Sequence, residues 1–345
     1  MATVEFPSPV GGASLPPDFA PSILFAVLYG LLVPLTAYRL YDRRSRTVLL
    51  LGTIIFSTER IVIFSIRAAQ ARNETMRQSG NLANYMQLSF AQGYIGIAND
   101  LVNLIRCLLV NASYGPERYP ESSAASTKGC DLPPPKETDV DNPRQRFWIR
   151  RFADFSGLSF LAATVPNILA HSVYKKTFTD QAVADKTYKL RYASAAVELA
   201  LAHGVLMGAA GWSIWKQPRA GRRGLLLVVT VALLTCGIGI YRLAVMLNRT
   251  VALDSTAEGS QNSTGSKAGF YIAHVSLEWL ACALLLGVNT RKLCGTGMWG
   301  DWRFRDETPQ EKQFREKRAQ RRAERKRIRS EKAGHSTHVV DRSPA

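Results

Sequence analysis

The sequence predicts an all-α polytopic membrane protein: a bundle of seven transmembrane helices with its N-terminus outside and its C-terminus in the cytosol. Three observations carry this expectation. Seven stretches stay apolar over roughly 20 residues, the length a helix needs to cross a hydrocarbon core of about 30 Å. Lys and Arg crowd the ends of alternate stretches, as they do on the cytosolic side of membrane proteins. Asn-x-Ser/Thr triplets fall in the loops on the other side. The mean hydropathy of the whole chain is close to zero, and its net charge is +17 over 345 residues. Both values average a polar loop and a basic tail with the spans and so conceal them.

Residues 1–19 contain no Lys or Arg. The basic n-region of a cleaved signal is therefore missing, and the segment is read as a short outer N-terminus before a retained anchor. The spans run, within a few residues, from Ala20 to Tyr41, Thr47 to Arg67, Ser89 to Asn111, Phe152 to Val173, Tyr192 to Trp215, Gly224 to Leu247 and Gly269 to Asn289, a transmembrane domain over 20–289. Arg43, Arg44 and Arg46 follow span one; Arg144, Arg146, Arg150 and Arg151 precede span four; Lys216, Arg219, Arg222 and Arg223 follow span five. With an odd number of crossings, these put the N-terminus outside. Lys175, Lys176, Lys186 and Lys189, between spans four and five, are the exception. Asn73, Asn248 and Asn262 open acceptor triplets in outer loops, with Asn73 and Asn262 the better candidates because Asn248 sits close to the bilayer. Asn111, at a cytosolic span end, is expected to stay unmodified.

The connection 113–146 holds a Ser122–Thr127 run rich in Ser and Ala and a Pro133-Pro134-Pro135 run. It has too little apolar area to offset chain entropy and is expected to be a disordered cytosolic loop. In the tail, 290–345, Gly295, Gly297 and Gly300 alternate with Met298, Trp299 and Trp302 and read as a turn at headgroup level. Residues 309–332 are good helix formers. Their cluster of Arg321, Arg322, Arg325, Lys326, Arg327 and Arg329 is either a solvated charged helix or a contact for anionic lipid or a cytosolic protein, at about 1 kcal/mol per basic residue near a lipid surface. Nucleic acid is not an expected partner, since the stacking aromatics are missing from the tail. Of the five cysteines, Cys107, Cys236 and Cys282 read as small buried hydrophobes. Cys294 is a palmitoylation candidate or an unmodified thiol.

An ionisable group at mid-span costs about 2.5–3.5 kcal/mol on insertion scales, so it normally faces the bundle interior. Span two carries Glu59, Arg60 and Arg67; span three Asn99, Asp100, Asn103 and Arg106; span four Asn167 and His171; span five Glu198 and His203; span six Arg242; span seven His274 and Glu278. Asn99, Asn103 and Arg106 form one helical stripe, and Asn167/His171 and His274/Glu278 are pairs four apart. Pro166 is expected to disturb span four at that depth. Alternating span direction brings most of these groups to the middle or outer half, which predicts a polar chamber opening outward. Its candidate lining is Glu59, Arg60, Asn99, Asp100, Asn103, Arg242, His274, Glu278, Glu198 and His203. The competing reading is a dry set of ion pairs that fix helix register, for instance Glu59 or Asp100 with Arg60 and Glu278 with Arg242, while Arg67 and His171 reach toward the interface. No cofactor is expected. His171, His203 and His274 come from three separate spans without two-histidine helical spacing, which leaves an intramembrane metal hydrolase as a minor reading.

Pro21-Ser22 at the head of span one, Glu59 followed within two turns by Arg67, Tyr241-Arg242 and Glu278 resemble the embedded charge pattern of the fungal lipid-translocating-exporter family, or of a related fungal membrane family. Where that pattern has Gly-Tyr after the span-two acid, this chain has Arg60-Ile61-Val62-Ile63, and the second acid of span seven is absent. The resemblance implies a protein of the plasma membrane or an endomembrane that binds or moves a small amphipathic molecule or lipid. The alternative is a seven-helix receptor or sensor signalling through its cytosolic loops and tail. Its usual marks are missing: Arg106 stands in Ile105-Arg106-Cys107, and span seven lacks Asn-Pro-x-x-Tyr.

Overall fold

The computed structural model describes residues 4–216 and 219–303, and in the tail residues 313, 317, 318, 320, 321, 323 and 324. Among the described residues seven helical segments are long and apolar enough to cross a membrane: Pro16–Tyr41, Val48–Arg72, Gly80–Ala112, Pro143–Ser172, Gln181–Ser213, Arg222–Val245 and Thr264–Gly287. The all-α, seven-span class is as expected. Several spans begin well before their apolar runs, because the residues that cap a helix are polar. Ser79 accepts from the Leu82 N–H at the start of span three, and Pro143 opens span four at the first helical position.

Two of the spans are interrupted and a third carries a π-turn. Span one divides into Phe19–Gly30 and Leu32–Tyr41; Pro34 cannot donate to the Gly30 carbonyl and its ring crowds that group. Span four divides into Pro143–Ser159 and Leu161–Ser172, with Pro166 inside the second part. Span seven contains a π-helical turn over Tyr271–Ser276, an irregularity that turns the residues after it relative to those before it.

Span three is the axis of the bundle and packs against spans two, four, five, six and seven. Of its most apolar stretch 83% is buried, against 22% in span one. Small residues allow this close approach: at Gly93 any Cβ would run into the Phe56 ring of span two.

The end holding the N-terminal segment, here the N-terminal mouth, is covered by residues 4–15. Phe6–Pro7 (β1) pairs antiparallel with Arg249–Thr250 (β2). Beyond the strand, Val10 donates to Gln87 Oε1 at 2.8 Å and accepts from Gln87 Nε2 at 3.1 Å, while the Tyr174 hydroxyl donates to the Pro7 carbonyl at 2.7 Å. Gly12, at φ +60°, sits against the Asn262 amide and the Gln261 carbonyl, where no side chain fits.

The opposite, C-terminal mouth is covered by the 113–142 connection and by residues 290–303. Contrary to the disorder expected from its composition, that connection is folded: Ser123 Oγ donates to the Gly295 carbonyl at 2.7 Å, and Thr127 Oγ1 accepts from the Gly297 N–H at 3.0 Å. Gly295, Gly297 and Gly300 all have left-handed backbone, leaving carbonyls and N–H groups that Ser and Thr hydroxyls can satisfy at close range. Small hydroxyl residues thus act as packing partners here. Cys294 is fully buried under this layer, which favours the unmodified thiol over the palmitoylation candidate. In the tail, a separate unit from residue 305 onward, the described residues are helical. The remainder of 309–332, including Arg322, Arg325, Lys326, Arg327 and Arg329, lies outside the described residues.

Candidate functional site

Burial decides where the polar residues act. Arg60, with no exposure, forms a two-pronged ion pair with Glu278: Nε to Oε2 at 2.8 Å and Nη2 to Oε1 at 2.9 Å. Two of its three remaining N–H groups go to the Ser89 hydroxyl and carbonyl at 2.7 and 3.1 Å, and its plane lies over the Phe56 and Phe90 rings. The Tyr29 hydroxyl donates to Glu278 at 3.4 Å. This pair, joining spans two and seven, is closed and satisfied. Glu278 was expected to meet Arg242, and Glu59 or Asp100 to meet Arg60; the pairing is different because helix rotation sets the partner and sequence spacing does not report it.

A second cluster, between spans three, four, five, six and seven, is not satisfied. Glu198 is 1% exposed, with the Tyr94 phenol placed to donate to it and the Arg242 guanidinium nearby, yet neither of its carboxylate oxygens makes a hydrogen bond of ordinary length. Arg242 donates to the Phe90 carbonyl at 3.1 Å and lies 3.4 Å from His274 Nε2, with its own Nε unpartnered. His274 is boxed by the Phe90, Tyr241 and Phe270 rings and keeps Nδ1 unpartnered. His171, with Arg191 and Arg242 as its charged neighbours, has both ring nitrogens unpartnered, and the Asn167 amide nitrogen one turn away is also unpartnered. Each buried unmade hydrogen bond costs about 1–3 kcal/mol. A set of them in one region points to partners from outside the chain.

Between this cluster and the N-terminal mouth stands a third group. Asp18 accepts from Arg67 Nη2 at 3.2 Å, Lys267 Nζ at 2.8 Å, the Tyr271 hydroxyl at 2.9 Å and the Leu15 N–H at 2.9 Å. Lys267 also donates to the Gly11 and Ala13 carbonyls. Arg67 and His171 are fully buried, so neither reaches to the interface as expected. Arg67 has an acidic partner, and His171 lies under the covering segment. Arg191 holds that segment by donating to the Ser8 carbonyl at 3.2 Å. Tyr174 is buried beneath Pro7, and burial, partly offset by Arg191, pushes its phenol up to about 12. The end toward which a chamber was expected to open is therefore covered by the chain's own N-terminal segment.

The remaining candidates serve elsewhere. Glu59 is half-buried beside Tyr85 and does not line the interior. Asp100 accepts from the Thr53 N–H and hydroxyl, both at 2.8 Å, and so caps the first turn of the span-two helix from a neighbouring span. Asn103 donates back to the Asn99 carbonyl at 3.1 Å, and Arg106 bonds Asp154 at 2.6 Å and Asp301 at 3.2 Å. Together these three residues form the expected stripe, facing span four and the C-terminal mouth. His203 bonds the Leu199 carbonyl of its own helix at 2.9 Å. Among the described residues no group of three His, Cys, Asp or Glu side chains stands close enough to hold a metal ion. Asn73 is exposed and Asn248 half-exposed. Asn262 is buried, accepts from the Ala13 N–H at 2.8 Å, and donates to the Leu253 and Ser255 carbonyls at 2.9 and 2.7 Å. Both its amide hydrogens are in use, so in the folded chain Asn262 serves as a structural amide.

Sequence reasoning missed Asp18, Lys267, Arg191 and Tyr94. The first three lie at the edge of, or just outside, the apolar runs, where charge is ordinary; Tyr94 reads as a core aromatic. No family model, curated protein or solved structure matches the chain.

Proposed function

We propose that this multi-pass membrane protein binds a small amphipathic molecule in the polar cluster formed by Glu198, Arg242, His274, His171, Asn167 and Tyr94, and passes it across the bilayer when the covering segments move. The observation that carries this reading is the Glu198 carboxylate: buried, beside a guanidinium and the Tyr94 phenol, and with no hydrogen bond of ordinary length at either oxygen. A ligand hydroxyl or ammonium group would meet the acid, ligand acceptors would meet Arg242 and His274, and an apolar body would pack on the Phe90 and Phe270 rings. The likeness to lipid-translocating exporters supports the same class of cargo. An outside N-terminus is supported by the arginines at the C-terminal mouth and by exposed Asn73 at the other.

The test is transport of a fluorescent short-chain phospholipid or long-chain amine by purified protein in proteoliposomes. Glu198→Gln and Arg242→Gln are expected to lower the initial rate at least about ten-fold, equivalent to about 1.4 kcal/mol. Glu59→Gln, outside the cluster, leaves it unchanged. Wild-type rates in both cluster variants, with wild-type folding, would remove the reading.

A further inference from the structure

A second site lies on the bilayer side of the bundle, independent of the interior cluster. Near the C-terminal mouth, spans three, four and five enclose a groove of about 300 Å³ lined by Leu109, Trp148, Ile149, Phe152, Ala209 and Trp212. None of these is charged, so the groove suits hydrocarbon. Gly208 opens it, because a Cβ at that position would meet nothing within 4 Å. Leu109 lies within a turn of the end of span three, Trp148 near the start of span four, and Trp212 at the end of span five. The groove is thus at the depth of the first acyl carbons, and Trp148, Phe152 and Trp212 are exposed to the medium around the bundle.

Charge selects the occupant. Arg144 and Arg151 stand four before and three after Trp148, on the same face of the span-four helix, and both are exposed. Arg151 rests 5.3 Å from the Phe147 ring. Asp154, the nearest acid on that helix, is bonded to Arg106 at 2.6 Å, which directs its charge away. We propose that this groove holds one acyl chain of an anionic phospholipid, with its phosphate taken by Arg144 and Arg151. A guanidinium matches phosphate in two-pronged geometry, and Trp residues settle at headgroup level. A lipid bound there bridges spans three, four and five.

The experiment is native mass spectrometry of the full chain in mild detergent with equimolar phosphatidylglycerol and phosphatidylcholine of identical acyl chains. Wild type is expected to retain phosphatidylglycerol about thirty-fold better, the order two basic residues near a surface supply. The Arg144→Gln/Arg151→Gln variant is expected to bind both lipids at the phosphatidylcholine level, and Gly208→Phe, which fills the groove, to lose both. Equal retention of the two lipids by wild type, or an undiminished preference in the double arginine variant, overturns the headgroup assignment; undiminished binding by Gly208→Phe overturns the groove. If Gly208→Phe does not fold, the two exposed arginines decide the proposal.

Discussion

The Arg60–Glu278 pair is the strongest single link between spans two and seven, and its worth is measurable. Both side chains have no exposure, and two charge-assisted bonds of 2.8 and 2.9 Å join them. Glu278→Gln keeps the shape and one acceptor oxygen but leaves Arg60 charged with no anionic partner in this pair. Removing one member of a buried pair costs about 3–5 kcal/mol, and the insertion cost of an uncompensated mid-span charge, about 2.5–3.5 kcal/mol, agrees in size. Arg60→Met strands Glu278 with the Tyr29 hydroxyl alone, so a similar loss of about 3 kcal/mol is expected. In the double variant Arg60→Met/Glu278→Gln neither charge is stranded. The combined loss should therefore fall short of the sum by about 2–3 kcal/mol, the coupling of residues in direct contact. The assay is reversible unfolding in mixed micelles titrated with dodecyl sulfate, followed by tryptophan fluorescence. Additive losses would show that the two residues do not act as a pair and refute the argument.

Three further outcomes are expected. A glycosidase-sensitive mobility shift disappears in Asn73→Gln and persists in Asn262→Gln; the latter instead lowers stability by about 1 kcal/mol for each of the hydrogen bonds it misplaces, read as a drop in Tm. Maleimide labels Cys130 in the folded protein but reaches Cys294 only after denaturation, since Cys294 is fully buried and Cys130 only partly so. The third concerns Asp141: burial raises its carboxyl, but Arg146, bonded at 2.7 and 2.8 Å, and the Gly115 N–H outweigh burial and hold it below the ordinary carboxylate value. A depressed folded-state pKa stabilises fully above the unfolded value of about 3.9, and the gain is lost as pH falls from there through the lower folded value. Asp141→Asn should therefore lower Tm at neutral pH and flatten its acid limb. An unchanged pH profile would remove Asp141 from the account.

How far the polar groups were legible depended on what each one needed. That Arg60, Arg242, Glu198, His274 and Glu278 are buried follows from their place within apolar runs and the cost of charge in lipid. Which of them pair does not follow: Glu278 and Arg60 are 218 residues apart, and the π-turn over Tyr271–Ser276 alters the direction of everything after it in span seven. Asp100 looked like a chamber residue because its intramembrane position is costly; it is a helix cap whose partner, the Thr53 N–H, carries no sequence signature. The 113–142 connection looked disordered because composition counts apolar area. Its order comes from hydroxyl groups meeting a left-handed glycine segment from the far end of the chain.

Crossing lipid is a property of one contiguous segment, decided by its length and transfer free energy, and so the sequence alone determined the number of spans and the burial of most of the mid-span charges. Rotation of each helix about its axis is decided by side-chain packing against several neighbours at once. Only the tertiary structure could therefore separate the satisfied Arg60–Glu278 pair from the unsatisfied Glu198–Arg242–His274 cluster, and show both mouths covered by segments that hydropathy reads as ordinary loops.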